Sequence, residues 1–176
     1  LPYLNPHVEL VRYSDTLYNV KNIFTDETLE YLESHYFYPH TWQFDQTSGR
    51  RMVHYLNQNG NDNIVTTFVQ EFKQFLLERF NQKYETQETK LFFDTRGYRT
   101  SSHFDHPNIG LMMQVYLQSE CIGGPGTSFH LEKIYNMKLI RNNGYINFNT
   151  DAKQHESYYL PDGVRRSFAM SMSLIS

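Results

Sequence analysis

Residues 155–170 read His-Glu-Ser-Tyr-Tyr-Leu-Pro-Asp-Gly-Val-Arg-Arg-Ser-Phe-Ala-Met. Pro161-Asp162-Gly163 is turn chemistry between two runs suited to strands, so the stretch reads as a β-hairpin. On that reading Leu160 faces Val164, Arg165 lies opposite Tyr159, Ser167 opposite Ser157 and Ala169 opposite His155. Side chains alternate across a strand, which puts His155, Ser157, Tyr159, Arg165, Ser167 and Ala169 on one face. Tyr158, Leu160, Arg166, Phe168, Met170 and Met172 occupy the other, which suits packing beneath helices. The first face is too polar for an ordinary sandwich interior, and an open interior bearing a ligand accounts for it. Arg165 stands four residues along this sheet from His155, about 13 Å at the usual rise. Its planar fork suits a distant carboxylate, although Arg165-Arg166 also reads as a solvated pair of charges at a strand start.

Working outward, the next informative stretch is Ser102-His103-Phe104-Asp105. In an extended strand His103 and Asp105 share a face, so a nitrogen and a carboxylate oxygen can reach one metal. His155 is the candidate third ligand. Two histidines and a carboxylate on one side of a metal leave the other side open, the arrangement of non-haem Fe(II) and O2 chemistry. The pair alone is weak, because 8 His and 19 acidic residues generate such spacings by chance. His106 is a poorer ligand, since the residue after Asp105 on a strand points away. His130 reads either as a cleft-lining side chain or as a surface or packed one. Arg50, Arg51, Arg96 and Arg99 form a basic rim for an acidic substrate or are simply solvated.

The 176 residues suit a single domain whose core needs no staples. Aromatics make up 16% of the chain, with 14 Tyr and 13 Phe, which favours β-structure over a helical bundle. No apolar run approaches a membrane span, and the first residues lack the order of a signal peptide. The missing initiating Met suggests processing. Cys121 is the only cysteine, which excludes an internal disulfide and points to a reducing, cytoplasmic setting. A net charge of -3 argues against broad electrostatic binding of nucleic acid.

In chain order, short strands are expected within 8–23, with a turn near Ser14-Asp15. A first helix starts after Thr25, a cap followed by two acids, with Phe24 stapling onto Leu29, and carries Leu32 and Tyr36 on one side. Strands at 42–45 and 51–56 flank a Ser48-Gly49 turn, and a loop covers 57–63. A second helix over 63–81 has Ile64, Val65, Phe68, Val69, Phe72, Phe75, Leu76 and Phe80 at helical spacing. That stripe reads as a face packed on a sheet. Later strands are expected at 90–95, 111–118, 127–131, 137–141, 145–149, 155–160 and 165–174. Turns fall at Gly123-Gly124-Pro125-Gly126 and Asn142-Asn143-Gly144. Two helices followed by many short strands predict a mainly β (α+β) sandwich or jelly roll with helices on one outer face. Residues 1–88 would supply helical support and outer strands, and 89–176 the core that carries the site.

Taken in order, these pieces resemble the 2-oxoglutarate/Fe(II)-dependent dioxygenases, particularly their prolyl-4-hydroxylase-like branch, from Leu91 to the C-terminus. After His103-Phe104-Asp105 comes Val115-Tyr116-Leu117-Gln118, similar to that branch's Tyr-Leu-Asn strand. Gly123-Gly124-Pro125-Gly126-Thr127-Ser128-Phe129 is like its Gly-Gly-x-Thr-x-Phe element, and Gly144 to Phe148 like its Gly-x-x-x-Phe strand. His155 is followed by Gly163 eight on, Arg165 ten on and Ser167 twelve on. The resemblance implies a double-stranded β-helix, a distorted jelly roll. His103, Asp105 and His155 would ligate Fe(II), and Arg165 would bind the far carboxylate of 2-oxoglutarate, helped by Tyr116 and Ser167. It implies hydroxylation of a peptidyl substrate, proline first, or of a small molecule, with O2 consumed and succinate and CO2 released; ascorbate is an optional reductant.

Departures from the family pattern narrow the choice. Ten residues before His103, where relatives often carry Tyr, stands Phe93. Asp105 is intact, unlike the acid that halogenating relatives lose. Ser171 replaces the second Arg of the AlkB-type demethylases, and the Glu and Lys usual in the JmjC group are absent. The competing class is a non-catalytic jelly-roll protein that binds metal or a carboxylate ligand. A cupin-like metal enzyme without 2-oxoglutarate leaves Arg165 without a purpose.

Overall fold

Thr25 is extended just before helix α1 (Asp26–Ser34), and its side-chain oxygen accepts from the Thr28 N–H. Asp26 and Glu27 lie at the positive end of the helix. Phe24 and Leu29 are buried in one cluster, as the staple requires. Helix α2 (Asn63–Phe80) buries Val65, Phe68, Val69, Phe72 and Leu76. It ends where Asn81 takes a left-handed φ of 54°, a conformation asparagine tolerates. The computed structural model describes residues 2–35, 43–44, 49–56, 63–120, 123–151, 153–160 and 162–176. Tyr36, Trp42, the loop at 57–62, Cys121 and Pro161 lie outside the described residues.

The strands in chain order are β1 (Glu9–Arg12), β2 (Leu17–Lys21), β3 (Gln43–Phe44), β4 (Arg51–Tyr55), β5 (Tyr84–Asp94) and β6 (Thr100–His103). They continue with β7 (Leu111–Tyr116), β8 (Pro125–His130), β9 (Ile134–Lys138), β10 (Asn143–Phe148), β11 (Gln154–Ser157) and β12 (Arg165–Leu174). An eight-stranded sheet has the order β1-β2-β10-β7-β12-β5-β4-β3, and a four-stranded sheet the order β6-β11-β8-β9. Among the described residues the strands of both sheets pair antiparallel throughout.

Alternation divides the large sheet into two faces. Leu91, Met113, Val115, Ile146, Phe168, Met170 and Met172 join Leu29, Phe68, Phe72 and Leu76 in one core, so the helices cover that face. Phe68 and Phe168 meet edge to face at 5.8 Å, each contributing about 1.5–3 kcal/mol by burial. From the opposite face Tyr116 and Tyr145 meet Phe129, Met137 and Leu139 of the small-sheet side. Gly144 allows the close approach within the large sheet: a Cβ there would overlap the Gln114 carbonyl.

The hairpin expected across 155–170 does not form. β11 pairs with β6 and β8 in the small sheet, whereas β12 pairs with β5 and β7 in the large one. Leu160 donates to the Tyr98 carbonyl at 2.9 Å, while the Val164 carbonyl accepts from Glu120 at 3.1 Å. The segment around Gly163 (φ 72°) crosses between sheets rather than folding one strand back on its neighbour. Face alternation belongs to each strand alone, so it survives: Arg165, Ser167 and Ala169 are buried on the inner side, and Phe168, Met170 and Met172 face the helices. The separation of Arg165 from His155 counted along one sheet therefore does not apply. β6, absent from the expected strands, is a short edge, and β5 begins earlier than expected because Tyr84 pairs with Leu174.

Candidate metal centre

His103 and His155 are directly opposite partners in the β6–β11 pair, so both rings leave the same face. Their centroids are 4.4 Å apart. Asp105 follows β6 outside any strand, not within one as the spacing argument assumed, yet its carboxylate still returns to the pair. His155 Nε2 lies 3.3 Å from Asp105 Oδ1. One potential ligand atom from each of the three residues falls within 4.8 Å of the others.

The ring nitrogens are sorted by the backbone. His103 Nδ1 lies 2.8 Å from the Ser101 carbonyl and His155 Nδ1 lies 3.1 Å from the Lys153 carbonyl. A carbonyl only accepts, so each Nδ1 carries the proton and each Nε2 keeps its lone pair for the centre. Asn147 donates to the other Asp105 oxygen at 3.4 Å. Phe129 stacks on His155 at 5.2 Å and holds its plane. Burial raises the Asp105 pKa, but hydrogen bonding and charge from His155, with His103 and Asn147, outweigh it and leave the carboxyl below its ordinary value. Burial pushes His155 down, and Asp105 more than restores it, so the imidazole lies above its ordinary value.

Arg165 enters from the large sheet and is 1% exposed. Its Nε donates to Asp94 Oδ2 at 3.0 Å, and Nη2 lies 2.9 Å from the same oxygen. Among the described residues Nη1 has no hydrogen-bond partner, and Nη2 makes none of good geometry. Buried donors left this way fit a site awaiting a carboxylate. Ser167 accepts from Gln114 Nε2 at 2.9 Å, and Gln114 Oε1 accepts from the Tyr145 hydroxyl at 3.0 Å. The Ser167 proton is not used in that bond. Tyr116 donates to Thr127 Oγ1 and accepts from the Thr127 N–H, both at 3.0 Å, so aiding a ligand requires it to redirect that proton. Burial keeps the Tyr116 and Tyr145 hydroxyls above their ordinary pKa, hence neutral.

No family model matches the chain, and no curated protein matches it in sequence. Solved structures do match in shape. A prolyl hydroxylase from Trichoplax adhaerens, in complex with a hypoxia inducible factor oxygen degradation domain peptide fragment, aligns with a TM-score of 0.72 at 10% identity over 91% of this chain and 84% of that one. The viral collagen prolyl hydroxylase vCPH of Paramecium bursaria Chlorella virus-1, as its 2OG complex, aligns at 0.70 and 11% identity over 92% and 98%. HygX from Streptomyces hygroscopicus, with nickel and 2-oxoglutarate bound, aligns at 0.66 and 9% over 90% and 82%. The chain has the fold of the 2OG-Fe(II) oxygenases and prolyl hydroxylases.

Seen within the oxygenase fold, several expectations change. Phe93 does not line the site: it pairs with Arg166, whose guanidinium carbon is 5.6 Å from its ring, so the inner positions are Phe92 and Asp94. Arg51 is no rim cation, because it pairs with buried Asp94, whereas Arg50 donates to the Arg96 carbonyl at 3.3 Å. His106 accepts from the Asn108 N–H at 3.1 Å in an exposed turn. His130 alternates with inward Phe129 and meets Glu156 at 3.3 Å on the outer side. Asp94, Gln114, Tyr145 and Asn147 were not singled out from the sequence; their alternation with helix-facing neighbours was the available signal. A groove of 710 Å³ between Leu4–Leu10 and α2 contains none of these residues.

Proposed function

We propose that the protein is an Fe(II)- and 2-oxoglutarate-dependent dioxygenase on a double-stranded β-helix, hydroxylating a peptidyl or small-molecule substrate. The observation that carries this reading is the presence, on strands of the two facing sheets, of two chemically different groups. One gathers His103, Asp105 and His155; the other presents buried Arg165, whose Nη1 has no hydrogen-bond partner among the described residues. A non-haem iron held by such a triad supplies the redox centre at which O2 and a keto acid are consumed, yielding succinate and CO2.

The chain's own part is to hold and orient. His103 and His155 offer Nε2, each fixed through Nδ1, and Asp105 adds the negative charge that favours a divalent cation. Arg165 takes the far carboxylate of 2-oxoglutarate, with Ser167 donating beside it and Tyr116 assisting. Phe129, Tyr145 and Tyr116 line the interior with rings and exclude water from the reacting groups. Phe104, 57% exposed between two ligands, marks the side from which substrate approaches. Proline in a peptide is the first substrate to test, in keeping with the prolyl hydroxylases among the similar structures. Ascorbate would serve only to keep the iron reduced. Residues 89–176 form the core of the site, and 1–88 the helical support and outer strands.

The test is succinate formation from 2-oxoglutarate with Fe(II) and O2, alongside mass spectrometry of peptide and metabolite panels for gain of one oxygen atom. Iron and 2-oxoglutarate binding without succinate across the panels would favour a non-catalytic binding protein.

A further inference from the structure

Three charged residues stand in a row across three neighbouring strands of the large sheet. Arg51 of β4 is the register partner of Asp94 in β5, and Asp94 is the register partner of Arg165 in β12. Arg51 Nε donates to Asp94 Oδ1 at 2.5 Å and Nη2 to Oδ2 at 3.0 Å, while Arg165 binds Oδ2 from the other side. Asp94 is fully buried. The Arg51 guanidinium is held 3.7 Å from the Phe92 ring centroid and 4.2 Å from that of Tyr98, and its side chain is 12% exposed.

We propose that Arg51 determines selectivity for a keto acid with a second carboxylate, by offsetting Asp94 so that Arg165 keeps a surplus positive charge. Asp94 and Arg165 alone make a neutral pair, which attracts an incoming carboxylate weakly. Two guanidiniums around one carboxylate leave one charge over. Nη1 of Arg165, buried and without a hydrogen-bond partner among the described residues, is the donor left to meet an added carboxylate. Asp94 in turn holds Arg165 through Nε and separates the two guanidiniums. Arg51 is a positioning residue, since the contact with the keto acid is made by Arg165. The proposal rests on the 2-oxoglutarate reading above.

Calorimetric titration of the Fe(II)-loaded protein without O2 tests it, using 2-oxoglutarate and 2-oxobutanoate, which has the same keto-acid head but no second carboxylate. Arg51→Met should weaken 2-oxoglutarate roughly tenfold or more and leave 2-oxobutanoate unchanged. Adding Asp94→Asn to Arg51→Met removes the opposing charge and should recover most of the loss. Arg51→Lys, which keeps the charge and is the milder change for folding, should retain the preference for 2-oxoglutarate. Unchanged 2-oxoglutarate binding in Arg51→Met, equal weakening of both acids, no recovery in the double variant, or loss of preference in Arg51→Lys would each overturn the proposal. If the unaltered protein binds neither acid, or both equally, the 2-oxoglutarate reading fails first and the role of Arg51 falls with it.

Discussion

The His103–Asp105–His155 group and the Arg51–Asp94–Arg165 row pose opposite electrostatic problems. At the metal end, His103 and His155 of the small sheet converge with Asp105, which also feels the charge of Lys153, and His103 stays exposed. At the anchor end, the large sheet buries Asp94 and Arg165 and sets partly exposed Arg51 beside them in a row of alternating charges. On the proposed function a metal must enter and exchange ligands, and exposed His103 on the edge strand of the small sheet offers the way in. A fixed cation buried for good needs a counter-ion and a rigid frame, or burial would cost more than the interaction returns. On the proposed function the sheets would divide the labour: exchangeable coordination on one, charge recognition on the other.

Substitutions should separate the ends, and the largest effect is expected at the first. Asp105→Ala should abolish iron retention and succinate formation together, measured by metal content and turnover, with the anchor end intact. Arg165→Ala should leave iron content unchanged and weaken 2-oxoglutarate by about 2–5 kcal/mol, read by calorimetry; Arg51 still pairs Asp94, so the fold persists. Normal saturation in that variant would unseat the anchor.

Acid should distinguish the ends further. His155 sits above its ordinary value of 6.5 in the metal-free protein, so protons compete with metal as pH falls through that raised pKa. Iron affinity should then drop about tenfold per pH unit. For metal-free stability the sign is reversed. The raised His155 pKa stabilises the fold below 6.5, and that contribution is lost as pH rises through the folded value. The lowered Asp105 pKa contributes above its ordinary 3.8 and is lost on acidification. Melting curves across pH, with and without metal, check both signs. The smallest effect is a control: Thr25→Ala removes the α1 cap, costing about 1 kcal/mol, and should lower the melting temperature without changing either ligand's affinity.

Much of this was legible in the sequence because it depends on local period. Phe168, Met170 and Met172 alternate with Arg165 and Ser167, and the spacing of Phe68, Phe72 and Leu76 marks a packed helix; both patterns act within one element. The approach of His103, Asp105 and His155 was readable from residue type and order. The sheet crossing at Gly163 was not, since turn residues permit either a hairpin or a passage between sheets. Nor was the Arg51–Asp94–Arg165 row, which exists only because β4, β5 and β12 lie side by side. Phe93 was misplaced for a related reason: a count of residues back from His103 ignores which face of β5 each one takes, and a shift of one position exchanges Phe93 for Phe92 or Asp94.

The most direct test is a crystal structure grown without O2 in the presence of Mn(II) and 2-oxoglutarate, with the metal located by its anomalous signal. The account predicts one metal bound by His103 Nε2, His155 Nε2 and Asp105, with the far carboxylate of 2-oxoglutarate on Arg165 Nη1. A metal bound elsewhere, or a keto acid whose far carboxylate turns away from Arg165, would contradict it.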